Sequence, residues 1–190
     1  MLPKLLHIPR FGDERGWFSE TYNARRLADI GISDMFLQDN HSRSARAGTI
    51  RGLHFQAPPH AQAKLVRCAT GSIWDVAVDV RASSPTYGRW VGATLTASSG
   101  EQLYIPVGFA HGFITLTDDV HVLYKASETY APASEGAIAW DDPGLAIDWP
   151  LGDHQPLLSP KDAIAPALLQ CAVDFPYSGD PLGELEEIRL

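Results

Sequence analysis

The sequence predicts a single all-β domain, a sandwich or barrel carrying a few short peripheral helices. Nine or more short strand-like runs lie between turn-rich pieces, the pattern of two packed sheets or one closed one. Helical periodicity is confined to two places. A chain of 190 residues can bury one full core, and all-β domains reach this length undivided.

In chain order, NARRLADIG is the first helix candidate, running from an Asn23 cap to Gly31. FLQDNH and TIRGLHF follow as strands, then the turn APPHAQ and the strand KLVRC. In SIWDVAVDV (72–80), Trp74, Val76, Val78 and Val80 share one face and Asp75 and Asp79 the other, which reads as a half-buried strand. The turn RASSPTYG leads to WVGATLT, and SSGE leads to QLYIP. GFITLT comes next. VHVLYKA (120–126) alternates again, with Val120, Val122, Tyr124 and Ala126 on one face, and AIAW is the last strand candidate. SPKDAIAPALLQ opens as a helix, with Ser159 as N-cap, Pro160 in the first position and Asp162 in capping-box register. Pro166 shortens or kinks it. The domain is expected to span 1–190, with a loosely attached tail from about residue 175.

The composition, 45% apolar and 20% charged, is that of a soluble globule, and no apolar run approaches the roughly 18 residues of a membrane span. MLPKLLHIPRFGDERG shows no signal-peptide pattern, so a cytoplasmic location is expected. Cys68 and Cys171 are far apart and fit neither a CxxC motif nor a disulfide framework. Both are expected as thiols, Cys68 as a small buried hydrophobe. A net charge of −8 argues against a nucleic-acid polymer as partner. The charge is uneven: residues 1–67 carry +4 and residues 68–190 carry −12, so the basic excess falls where the chemistry-bearing motifs begin.

Three segments carry those motifs: RGLHFQ (51–56), QAKLVR (62–67) and PVGFAHGF (106–113). They place Arg51, His54, Lys64 and His111 inside apolar or glycine-bounded strands, where a polar group must find a partner. The four, with Tyr124 and Asp162, point to a site for an anionic, carbonyl-bearing small molecule. His54 reads either as a satisfied core histidine or as a general base. Asp162 reads as its orienting carboxylate or, more economically, as a helix cap. Tyr124 is a packed tyrosine or a general acid, and Lys64 a snorkelling lysine or an oxyanion stabiliser. Strict alternation sets Arg51 and His54 on opposite sheet faces. A joint site therefore requires a bulge at Gly52. No H-x-H pair with a nearby acid exists, and no catalytic metal is expected.

FGDERGWFSETYN, QDNHS, IRGLHFQ, KLVR, WDVAVDVR, SPTYG, IPVGFAHGF, LYK, EGAIAWDDP and SPKDA follow one another across most of the chain. In these segments the sequence closely resembles the dTDP-4-dehydrorhamnose 3,5-epimerases of the metal-free cupin superfamily. The resemblance implies a cupin-type jelly roll that inverts C3 and C5 of dTDP-4-dehydro-6-deoxy-D-glucose, with no cofactor, as a homodimer. It makes His54 the base, Asp162 its partner, Tyr124 the acid, and Lys64 and His111 stabilisers of the enolate oxygen. Arg15, Glu20, Gln38, Asp39, Asn40, Arg51, Glu135 and Lys161 match substrate-binding positions. One departure is Thr129 before Tyr130, where many members carry two aromatics. Alternative expectations are a mono-epimerase or ketoisomerase on a related nucleotide sugar, a non-catalytic sugar-nucleotide binding module, and a metal-dependent cupin oxygenase.

Overall fold

The structure, a computed structural model, describes residues 1–171 and 174–190. Its strands are β1 (Lys4–His7), β2 (Phe11–Asp13), β3 (Gly16–Phe18), β4 (Gln38–Ser44), β5 (Ile50–Gln56), β6 (Lys64–Thr70), β7 (Ser72–Asp79) and β8 (Arg81–Ala82). They continue with β9 (Trp90–Thr96), β10 (Gln102–Ile105), β11 (Phe109–Thr115), β12 (Val120–Ala126), β13 (Glu135–Ala137), β14 (Phe175–Pro176) and β15 (Glu186–Arg189). Two sheets face each other. One has six strands in the order β15-β1-β10-β6-β12-β4, the other five in the order β13-β5-β11-β7-β9. Strand neighbours in sequence often sit in different sheets, as β5 and β6 do, so the chain crosses repeatedly between the layers.

The space between the sheets is filled by Val66, Cys68, Ile73, Ala77, Leu95, Leu103, Phe109, Phe113 and Val122. Each outer face has its own cover. The helix α1 (Ala24–Asp29) lays Leu27, with Ile32 beyond it, on Leu6, Leu65 and Tyr104 of the six-stranded sheet. Asn23 caps that helix as expected, its side chain accepting from the amides of Arg25 and Arg26. Ile138, Leu145, Trp149 and Leu168 cover Ile50, Leu53, Val76 and Val78 on the five-stranded sheet. There the Trp74 ring meets Trp90 and Trp149 edge-on, at centroid distances of 5.6 and 5.5 Å.

These covers correct the reading of β7. The strand lies inside its sheet with both faces buried, and Asp75 and Asp79 are 0% exposed. The apolar face looks outward to the cover; the two acids point between the sheets. Period-2 alternation was right, but the acidic face is not a solvent face. Asp79 is fully occupied, accepting from Arg81, Ser84 and Thr86.

The tail also differs from expectation. Phe175 and Leu182 are buried, and β15 pairs in parallel with β1, Lys4 opposite Glu186. Its charged residues suit the exposed edge strand it forms. The second helix candidate shortens to two 3-10 turns, Asp162–Ile164 and Leu168–Gln170, with Pro166 between them. A proline lacks the amide that would continue the helix.

The Gly52 bulge is present. In the β5–β11 ladder His54 faces His111 and Arg51 faces Phe113, so Gly52 and Leu53 together oppose Gly112. Ile50, Leu53 and Phe55 consequently all pack on the outer cover, while Arg51 and His54 turn inward. The Gly52–Leu53 peptide is cis. Gly52 has φ +121°, and a Cβ there would stand 2.6 Å from Gly112 Cα and 2.7 Å from the His111 carbonyl oxygen. Gly52→Ala is therefore expected to lower stability by roughly 2–6 kcal/mol, summing overpacking and backbone strain. Urea unfolding measures this; a change within about 0.5 kcal/mol would contradict the bulge.

Candidate active site

The inward turn of β5 opens a cavity of about 300 Å³ at one end of the sandwich. His54, Lys64, Tyr124, Glu135, Gln38 and Asn40 line it, with Tyr130 at the rim. Four strands, β4, β5, β6 and β12, supply most of these side chains, which makes the wall rigid.

His54 donates or shares a proton through Nε2 with Asp162 Oδ1 at 2.6 Å. The carboxylate is 3% exposed and is held from its other side. Ser159 Oγ donates to Asp162 Oδ2 at 2.8 Å, and the Asp162 amide donates to Ser159 Oγ at 3.1 Å. Capping residue and orienting residue are thus one and the same. Burial works against the Asp162 charge, yet the His54 hydrogen bond and charge, Ser159 and Lys161 outweigh it, and the net is a lowered pKa.

Lys64 enters from β6 and reaches the His54 carbonyl oxygen at 3.4 Å. Burial pushes its ammonium down to about 8, against the opposing pull of Asp75 and Glu135. It is still protonated at neutral pH. His111, across the ladder from His54, is not among the residues lining the cavity; it is 7% exposed, with Nε2 2.6 Å from Asp75 Oδ1. Burial lowers its pKa, Asp75 resists, and the charges of Lys64 and His54 lower it further. Burial raises the Tyr124 phenol, an effect that Arg51 opposes and Glu135 reinforces.

At the rim, Lys161 pairs with Glu135, and the Tyr130 hydroxyl donates to the same carboxylate at 2.9 Å. These contacts outweigh burial and hold Glu135 below its ordinary pKa. Gln38 Oε1 accepts from the Tyr130 amide at 2.9 Å, and Gln38 Nε2 donates to Asn40. Arg51 is fixed by Ser44 Oγ and the Arg43 carbonyl.

Three expected site residues stand elsewhere in the single chain. Arg15 is on the β2–β3 hairpin, tied to Asp13. Glu20 and Asp39 border a second cavity, of about 410 Å³, on the outer face of the six-stranded sheet, where Asp39 pairs with Lys125 at 2.9 Å. Asn40 and Tyr124 touch both cavities. Sequence reasoning missed two participants. Gln56 braces the rim by donating to the Thr129 carbonyl and accepting from the Ala131 amide. Among the described residues the Thr129 side chain bonds to Glu128, leaving Tyr130 as the aromatic there. Asp75 was set on a solvent face; the large number of strands, which forces some to be buried on both sides, was the available signal.

The family model described as dTDP-4-dehydrorhamnose 3,5-epimerase matches residues 3–170. The chain belongs to the dTDP-4-dehydrorhamnose 3,5-epimerase family. A Salmonella typhimurium protein of that description is 53% identical over 161 residues, 84% of this chain and 87% of the other. A Legionella pneumophila epimerase solved in complex with dTDP-4-keto-L-rhamnose superposes with a TM-score of 0.88 at 44% identity, covering 93% of this chain and 94% of its own. A 3'-monoepimerase from Streptomyces bikiniensis, in complex with dTDP-quinovose, gives 0.82 at 36% identity over 88% and 84%. The fold is the family's cupin-type jelly roll, and the chain is an isomerase-class protein.

The lowered pKa of Asp162 has a thermodynamic consequence in this epimerase-family fold. A carboxylate depressed on folding adds stability above its unfolded value, near 3.9, and that stability disappears as pH falls through the folded value. Asp162→Asn should therefore cost stability at about pH 6 and progressively less toward about pH 3. Urea unfolding of both proteins at the two pH values tests this; an equal gap at both would refute it.

Proposed function

We propose that this chain inverts C3 and C5 of dTDP-4-dehydro-6-deoxy-D-glucose, giving dTDP-4-dehydro-L-rhamnose by proton transfer through an enolate. The observation that carries the reading is the His54–Asp162 pair at 2.6 Å opening on the same cavity as Tyr124 and Lys64. With Nε2 committed to Asp162, His54 Nδ1 is the nitrogen that takes a proton from the carbon beside the C4 ketone. The C–H electron pair moves into the carbonyl, and Asp162 balances the imidazolium. The Lys64 ammonium stabilises the new enolate oxygen, assisted by His111. The Tyr124 phenol, still protonated at neutral pH, returns a proton to the opposite face and recovers its own from solvent, while His54 gives the abstracted proton up to solvent before the second inversion. No redox step occurs, so the chemistry calls for no cofactor.

Gln38, Asn40, Arg51, Glu135 and Lys161 hold the nucleotide sugar around this centre in the proposal. Arg15, Glu20 and Asp39 complete it through a homodimer. The β2–β3 hairpin projects Phe11, Trp17 and Phe18, which are 62, 58 and 69% exposed. An exchanged hairpin would bury these rings and carry Arg15 to the partner's cavity. In this reading the protein works in the cytoplasm, as the sequence led one to expect. Residues 1–190 act as a single domain.

A second reading, inversion at one carbon only, is favoured by the resemblance to the Streptomyces monoepimerase. Incubation with the 4-keto sugar nucleotide in heavy water separates the two. Deuterium at both C3 and C5 is the expected result, with His54→Ala slower by about 100-fold or more; label at one carbon indicates the monoepimerase. The dimer is tested by sedimentation equilibrium. The parent should sediment as a dimer, and the pair Trp17→Ser with Phe18→Ser as an inactive monomer with an unchanged far-UV spectrum.

A further inference from the structure

Two acids on the same face of β7 are wholly buried, and the chain treats them differently. Asp79 has both oxygens taken up by Arg81, Ser84 and Thr86. Asp75 has one bond, from its Oδ1 to His111 Nε2 at 2.6 Å, while Oδ2 finds no hydrogen-bond partner among the described residues. A buried carboxylate oxygen without a donor costs free energy. An acid retained only to support the fold would be satisfied as Asp79 is.

We propose that Asp75 is a positioning residue of the site, fixing the His111 imidazole and supplying the buried negative charge that faces the Lys64 ammonium. The inference rests on the epimerase reading. Asp75 stands opposite Phe113 in the β7–β11 ladder, two positions along β11 from His111, and is not among the residues that line the cavity. It acts through its neighbours. Its hydrogen bond keeps a proton on His111 Nε2, so the ring cannot rotate away and Nδ1 is left as the nitrogen free for the site. Its charge acts on Lys64 from a wholly buried position, where screening by salt and solvent is weak. The other groups around Lys64 are Glu135 from β13, His54 from β5, His111 from β11 and Tyr124 from β12. Among them Asp75 and Glu135 favour the ammonium, and Glu135 is already engaged by Lys161 and Tyr130. Asp75 is the larger influence of the two.

Asp75→Asn separates charge from geometry, because the amide oxygen still accepts from His111. The Lys64 side chain, followed by NMR without substrate, titrates near 8 in the parent and should titrate about one pH unit lower in the variant. The alkaline limb of kcat/KM should move down by the same amount while the acid limb stays. Unmoved Lys64 titration overturns the proposal, and a lower plateau with both limbs in place assigns Asp75 a structural role only. If the variant fails to fold, the ring nitrogens of His111 in the parent decide: Nε2 protonated from about pH 6 to 9 is expected, and an unprotonated Nε2 at neutral pH refutes the inference. Failure of the parent to exchange deuterium would instead count against the epimerase reading, since the NMR titration needs no turnover.

Discussion

Where β5 runs beside β11, Gly52 and Gly112 meet with their backbones in contact. A Cβ on Gly52 would collide with the other strand at 2.6 Å, and one on Gly112 would be crowded by it at 3.0 Å. The close approach permits two residues of β5 to face one of β11, and that single irregularity resets which way every following side chain points. Without it Arg51 and His54 would lie on opposite faces, one of them among the aromatics of the outer cover. With it the hydrophobic set still reaches the cover, and the two polar residues share the interior. The same contact sets His54 directly across the ladder from His111, which brings the pairs His54–Asp162 and His111–Asp75 side by side.

Each pair has a carboxylate on a different kind of support. Asp162 is held by a 3-10 turn through its reciprocal contacts with Ser159, so a local motif of four residues orients a side chain that functions 108 positions from its histidine. Asp75 is held by β7, an inner strand of its sheet, and is wholly buried. The difference fits the exposures: His54 stands 31% exposed at the cavity, while His111 is enclosed. A group that exchanges protons with a ligand needs access, whereas one that shapes the field around it works best away from water.

Much of this was legible in the sequence because period-2 alternation is strong in long strands. β9 and β12 coincide with WVGATLT and VHVLYKA, and the face assigned to Tyr124 is the one observed. The capping box at Ser159 and the bulge at Gly52 were legible because each follows from local geometry. What alternation cannot report is whether the second face of a strand meets water or another layer, and so Asp75 was assigned to the wrong environment. The short β1, the projecting hairpin and β15 escaped for a related reason: runs of three or four residues carry too little periodicity, and β15 exists through pairing with β1, 182 residues away. The positions of Arg15, Glu20 and Asp39 relative to the main cavity depend on tertiary placement that no local pattern encodes.

The chain's five tryptophans fall into two optical populations. Trp74, Trp90 and Trp149 form an edge-to-face cluster in the outer cover, Trp149 buried and the other two half-buried, and Trp140, also half-buried, lies in the same layer with its carbonyl bonded to the Trp149 indole at 2.7 Å. Trp17 alone projects from the hairpin, with the Arg10 guanidinium 4.1 Å over its ring. Buried indoles emit to the blue and solvated ones to the red, so the emission spectrum of the intact chain is a sum of two reporters. The blue component follows the integrity of the sandwich, and the red component follows whatever covers the hairpin.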